Sequence, residues 1–181
     1  NWGYRESDRL GGKDPYSASK GMAEIVIRSY AESFFTNSNV KIGVTRAGNV
    51  IGGGDWGIDR IVPDCMKAWS MGNSVDIRNP NSTRPWQHVL EPLSGYLTLG
   101  AQLTLKPNLI GEAYNFGPPA NQHYSVANLI DEMSQYWENV SWSDLSRKDK
   151  VSHEAGLLKL NCDKALADLD WQPTLGFEET V

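Results

Sequence analysis

Tyr16 and Lys20 stand four residues apart in the run Asp14-Pro15-Tyr16-Ser17-Ala18-Ser19-Lys20. On a helix that spacing stacks two side chains one turn above the other. A free phenol has a pKa near ~10, and an ammonium a few ångström away favours the phenolate and draws that value down. A tyrosine tuned in this way can take a proton from a hydroxyl at neutral pH while a hydride leaves the same carbon. A bare Tyr-x-x-x-Lys spacing also arises by chance in helices. What sharpens this one is the Asp-Pro helix start in front of it and the small residues between its two members.

A second run invites a chemical reading. Gly52-Gly53-Gly54-Asp55-Trp56-Gly57 has the G-x-G-x-x-G spacing, follows a β-branched stretch, and has Asp76 about 20 residues further on, as a dinucleotide fingerprint does. Physical chemistry argues against it. Asp55 would repel a pyrophosphate, Trp56 is bulky where backbone must approach, and Pro63 starts the next helix too late for its N-terminus to cradle a phosphate. The expectation is a substrate-side loop. His88, on a short strand beside Trp86, reads as a structural, hydrogen-bonded histidine, and His123 as a surface loop residue. Three scattered histidines without HxxxH spacing make no case for a metal. Asp163, Asp168 and Asp170 read as a solvated helix surface.

The elements that must hold the tyrosine follow from pattern. Asp14 as N-cap and Pro15 at the first helical position predict a helix to about Thr36. Ala23, Ile27, Tyr30 and Phe34 would line its buried side, and Glu24, Arg28 and Glu32 its solvent side. Val40 to Arg46 predicts a buried strand, and residues 47–59 a glycine-rich loop. A helix is expected from Arg60 or Pro63 to Met71. Short strands follow at Val75–Ile77 and Arg84–Val89, then a helix from Glu91-Pro92 to about Leu105. A strand at Glu112–Phe116 and an amphipathic helix at Ser125–Trp137 come next. Residues 139–156 are polar and unpatterned. Leu157–Leu160 predicts a short strand and Asp163–Leu169 a short helix. Strands alternating with helices favour an α/β fold.

Seventeen basic residues against 22 acidic give the 181-residue chain a net charge of −5, which argues against a general nucleic-acid binder. No apolar run approaches the roughly 18 residues a membrane span needs, and no signal-peptide pattern opens the chain. A cytoplasmic protein is expected, with Cys65 and Cys162 as reduced, mostly buried thiols. The loop-like start and the helical turn begun at Phe177 predict a piece of a longer protein, with apolar surface left uncovered on the tyrosine helix.

Taken together, the ordered motifs resemble the extended short-chain dehydrogenases/reductases, the NAD-dependent epimerase/dehydratase family. Asp14-Pro15-Tyr16-Ser17-Ala18-Ser19-Lys20 resembles the family's YxxxK site. Thr45-Arg46-Ala47-Gly48-Asn49-Val50 looks like its strand-end segment. Arg84-Pro85-Trp86-Gln87-His88-Val89 looks like its Arg-x-aromatic-x-His-Val segment, and Ala113-Tyr114-Asn115-Phe116-Gly117 like its Tyr-Asn-x-Gly strand. Leu160-Asn161-Cys162-Asp163-Lys164-Ala165 and Leu169-Asp170-Trp171-Gln172-Pro173 match its late signature. The resemblance covers essentially the whole chain.

The resemblance implies a Rossmann-type α/β fold. Residues 1–50 would close the NAD-binding domain and 51–181 would form mainly the substrate-binding portion, with segments returning to the Rossmann core. It implies NAD as cofactor, with Tyr16 and Lys20 catalytic and Tyr16, Lys20, Ala47 and Gly48 beside the cofactor. It also implies a nucleotide-sugar substrate touched by Asn49, Arg60, Arg84 and His153. Arginine suits the substrate's diphosphate through its planar fork of donors, and Arg84 holds the motif position for it. Arg78 holds no such position. Epimerases, decarboxylases and dehydratases share these motifs. The runs Gly52–Trp56, Asp59–Asp64 and Arg84–Leu93 look most like those of CDP-glucose 4,6-dehydratases. Such an enzyme oxidises C4, loses water across C5 and C6, and returns the hydride to C6. The glycine fingerprint and the acid/base pair for the elimination lie, in the family, upstream of the tyrosine. A homodimer through the tyrosine helix is an open expectation, because burial within one chain would explain the same pattern.

Overall fold

The computed structural model describes residues 2–146 and 158–181. Helix α1 spans Pro15–Tyr30 and runs on through a π-helical turn at Ala31–Phe35. It starts where the sequence dictates: the Asp14 carboxylate accepts the Ser17 N–H at 2.9 Å and the Ser17 hydroxyl at 2.6 Å, filling an otherwise orphaned donor of the first turn. It widens at its end because the Thr36 hydroxyl donates back to the Glu32 carbonyl at 2.8 Å.

Strand β1 (Val44–Ala47) pairs in parallel with β6 (Ala113–Phe116), Val44 opposite Ala113 and Ala47 opposite Phe116. Between them in sequence lie β2 (Val50–Ile51), α2 (Ile61–Ser70), β3 (Val75–Ile77), β4 (Thr83–Arg84), β5 (Gln87–His88) and α3 (Leu90–Leu103). A 3₁₀ turn at Pro107–Leu109 joins α3 to β6. After β6 come β7 (Tyr124–Ser125), α4 (Val126–Met133), β8 (Trp142–Asp144), α5 (Asp163–Leu169) and α6 (Phe177–Thr180). β2 pairs in parallel with β5, β3 in parallel with β8, and β4 antiparallel with β7. The fold is α/β, as the alternation predicts.

Two apolar cores form. In one, Cys65 and Trp69 of α2 pack with Val75 and Ile77 of β3, Leu129, Ile130 and Met133 of α4, and Trp86 and Phe177. In the other, Leu99 and Leu103 of α3 pack with Tyr114 and Phe116 of β6 and with Ala165, Leu169 and Trp171 around α5. The Phe116 ring meets Trp171 edge-on at 4.8 Å between centroids. Gly95 leaves it room: a Cβ there would lie 2.2 Å from the Phe116 ring. The buried Gln87 joins the two cores, its Nε2 donating to the Phe116 carbonyl at 3.0 Å.

Several boundaries differ from the pattern reading. β1 begins at Val44, not Val40. The Arg84–Val89 stretch splits into β4 and β5 around Pro85. α4 stops at Met133 rather than Trp137, where the Ser134 hydroxyl donates to the Asp131 carbonyl at 2.6 Å and the next N–H groups bond three residues back. β8 occupies part of the stretch read as unpatterned, held by the Trp69 indole N–H donating to the Ser141 carbonyl at 3.1 Å. In the opening loop, Tyr4 forms a parallel bridge to Leu160.

The largest correction concerns α1. Its apolar residues Met22, Ile25, Val26, Ile27, Tyr30 and Phe34 are exposed, as expected of an uncovered helix, and of the three residues read as solvent-facing Glu24 turns inward while Arg28 and Glu32 stay exposed. Gly21 and Ala31 are buried, and Glu24 turns inward to Arg46. On α3, Leu90, Leu93 and Leu97 form a second exposed apolar stripe. Both thiols are free, and burial pushes Cys65 and Cys162 up to about 12. No helix among the described residues is long and apolar enough to cross a membrane.

Candidate active site

Tyr16 lies in the first turn of α1 and is 70% exposed. Lys20 sits one turn on, its ammonium 5.5 Å from the centre of the Tyr16 ring. The two groups therefore share one side of the helix and face open space. The loop before them is fixed at two points. Gly21 lies so close to Gly11 that a Cβ would fall 2.8 Å from the Gly11 nitrogen. At its other end, Tyr4 donates its N–H to the Lys159 carbonyl and accepts the Asn161 N–H with its own carbonyl.

Asn115 locks that end. Its Nδ2 donates to the carbonyls of Tyr4 and Asn161 at 3.0 and 3.1 Å, and its backbone N–H donates to the Glu6 carboxylate at 2.8 Å. A polar residue in the middle of an otherwise apolar strand was the sequence signal for this role, and buried polar groups need such partners.

At the end of β1, Ala47 is exposed and Gly48 presses on Pro85: a Cβ on Gly48 would lie 2.6 Å from Pro85 Cγ and 2.8 Å from its carbonyl oxygen. The Asn49 carbonyl accepts the Gln87 N–H at 3.0 Å. The chain thus brings Asn49 beside the segment that carries Arg84. Arg84 is half-buried on β4, opposite Tyr124 of β7, and its Nη1 donates to the Thr83 carbonyl at 2.9 Å. Arg60 is exposed and caps the start of α2. Its neighbour Asp59 has a left-handed backbone, φ 58°, and lies 3.6 Å from the Arg78 guanidinium. His153 lies outside the described residues.

The Gly52–Gly57 loop ends before α2, which begins at Ile61. Asp55 accepts the Gly57 N–H at 2.9 Å, and Lys67 donates to the Trp56 carbonyl at 3.0 Å. His88 accepts the Leu90 N–H through Nδ1 at 3.2 Å and serves α3, while His123 is exposed. Among the described residues no cluster of histidine, cysteine and carboxylate side chains could hold a metal ion.

An open cavity of about 1370 Å³ lies between α1, β1 and α5, and Tyr16 and Lys20 do not line it. Of its four cations, three are engaged by its own carboxylates, Arg46 with Glu24, Arg28 with Glu32 and Lys164 with Glu112, and the fourth is Arg5. A void whose charges are mostly paired offers little to an anionic ligand, so the exposed Tyr16–Lys20 surface is the better site despite its smaller enclosure.

Solved structures of a dehydratase and an epimerase share the fold that carries this tyrosine–lysine helix. The chain's described fold matches the dTDP-glucose 4,6-dehydratase of Streptomyces venezuelae, solved with NAD bound, with a TM-score of 0.78 and 20% identity over 99% of this chain and 52% of that one. It matches the UDP-glucuronic acid 4-epimerase of Bacillus cereus with a TM-score of 0.77 and 20% identity over 98% of this chain and 55% of that one. In sequence it is 45% identical, over 186 aligned positions, to the CDP-glucose 4,6-dehydratase of Salmonella typhimurium, covering 99% of this chain and 51% of that protein. The chain thus spans about half the length of this relative. No protein-family model matches it.

Proposed function

We propose that the protein carrying this chain is an NAD-dependent dehydratase that converts CDP-D-glucose to CDP-4-dehydro-6-deoxy-D-glucose. The observation that carries the reading is the 45% identity, along nearly the entire chain, to a CDP-glucose 4,6-dehydratase. The fold alone does not choose the reaction, since a dehydratase and an epimerase match it almost equally well. On this reading residues 1–50 complete a cofactor-binding domain and most of 51–181 serves the substrate, in a cytoplasmic enzyme.

The described residues fit one end of NAD. The exposed Lys20 ammonium is a donor suited to ribose hydroxyls, and Ala47 and Gly48 supply small residues at the strand end. A pyrophosphate cradle is not found among them, because the only glycine-rich run of the right spacing ends before α2 starts. When bound, NAD would supply the hydride acceptor and donor.

Tyr16 takes the proton of the C4 hydroxyl as that carbon is oxidised. Lys20, its ammonium 5.5 Å from the centre of the Tyr16 ring, orients the ribose. The Arg84 fork and the Asn49 amide hold the diphosphate, with Arg60 and His153 at neighbouring substrate positions. Net, the sugar loses one water across C5 and C6.

The test is direct. The protein expressed from its complete reading frame, given CDP-glucose, should release a 4-keto product lighter by one water in mass spectrometry. An isomer of unchanged mass would make it an epimerase. Turnover only with another nucleotide sugar would refute the substrate. A Tyr16→Phe enzyme should lose about 10²–10⁴-fold in kcat; unchanged kcat would exclude Tyr16 as the base.

A further inference from the structure

We infer that Glu24 and Arg46 are a positioning pair that fixes the rotation and height of α1, and through it the Tyr16–Lys20 pair, against the end of β1. The inference rests on the catalytic reading of Tyr16 given above.

α1 meets the rest of the described chain along a narrow stripe. Gly21 and Ala31 are buried on it, and Glu24 lies between them. The large apolar side chains of the helix point away from that stripe. Small residues allow close approach but do not interlock, so a helix held by them alone could turn or slide. Among the described residues, directional contact comes from one place. Arg46 Nε donates to Glu24 Oε1 at 2.8 Å and Nη2 donates to Oε2 at 2.6 Å, a two-bond fork whose geometry tolerates little rotation. The pair is largely shielded from water, with 21% and 19% of the two side chains exposed.

Such pairs are poor stabilisers compared with apolar packing of the same volume, whereas a role in selecting one arrangement is a hypothesis to be tested case by case. Here the arrangement matters. Glu24 follows Lys20 by one turn and Tyr16 by two, and Arg46 directly precedes Ala47, Gly48 and Asn49 at the strand end. Arg46 Nη1 also lies 3.4 Å from the Glu6 carbonyl, in the loop that enters α1. One guanidinium therefore joins the strand end, the entry loop and the catalytic helix. A reacting group misplaced by about 1 Å can lose on the order of 10²-fold in rate.

The experiment compares Glu24→Gln, Arg46→Lys and their combination in the protein expressed from its complete reading frame. Tyr16→Phe is measured alongside, and Ile130→Val, in the other core, serves as a control for lost stability. Each single variant of the pair should lose about tenfold or more in kcat, with KM for the nucleotide sugar changed by less than about twofold. The combination should lose no more than the worse single variant, and Ile130→Val should keep wild-type kcat. Arg46→Lys retains the charge but not the fork, so it carries the comparison if Glu24→Gln fails to fold. If Tyr16→Phe is inactive while Arg46→Lys keeps wild-type kcat, the positioning role is refuted and the catalytic reading stands. If Tyr16→Phe stays active, the catalytic reading fails and the positioning role falls with it.

Discussion

The carboxylate of Glu91, buried in the first turn of α3, accepts the backbone N–H of Leu175 at 2.7 Å. The same oxygen accepts the N–H of Thr174 at 3.0 Å. One side chain thus anchors the segment that leads into α6. Glu91→Ala would strand two backbone donors and is expected to destabilise the protein by about 2–4 kcal/mol. Glu91→Gln keeps an acceptor and should lose less. Urea denaturation of the three proteins gives the comparison.

Two glycines on α3 should respond in opposite directions. Gly95 abuts the Phe116 ring, and an alanine there would force the ring to move, at roughly 1–3 kcal/mol. Gly100 on the same helix has nothing within 4 Å of a would-be Cβ, so Gly100→Ala should stabilise by about 0.5–1 kcal/mol through helix propensity. Thermal midpoints of the two variants test the pair together.

Arg84 offers a sharper test of substrate contact than of stability. Arg84→Lys keeps the charge and removes the fork. It is expected to raise KM for the nucleotide sugar about tenfold, with Arg84→Ala higher still. A KM unchanged in both variants would remove Arg84 from the diphosphate site.

Asp14 gives α1 a pH-sensitive start. The hydroxyl and then the N–H of Ser17 hold its carboxyl below the ordinary 3.8. A value lowered in the folded state means the cap contributes fully above the unfolded pKa and is lost as pH falls through the folded one. The Ser17 amide resonance should therefore hold steady from neutral pH down to about pH 4 and move only in stronger acid. In Asp14→Asn that movement should vanish.

What the sequence disclosed tracks how local the physics is. The start of α1 was legible because Asp14, Pro15 and Ser17 settle it among themselves. The Gly52–Gly57 run could be set aside because charge, bulk and Pro63 all act within a few residues. The α/β class was likewise readable. The inward side of α1 was not, because periodicity shows that a face is apolar without showing what covers it. Glu24 looked solvent-facing until Arg46, 22 residues away, supplied its partner. β8 escaped because three residues with one apolar member carry no alternation; its register comes from Trp69 and β3. The Tyr4 bridge escaped because Leu160 lies at the far end of the chain.

That last contact sets an order of events during synthesis. The loop ahead of Tyr16 is clamped by Lys159, Asn161 and Asn115, so it cannot settle when it leaves the ribosome. At about 5–20 residues per second its partners emerge on the order of ten seconds or more later. α1 can wind at once from its own cap, but the approach to its tyrosine is finished only after nearly all of this stretch has been translated.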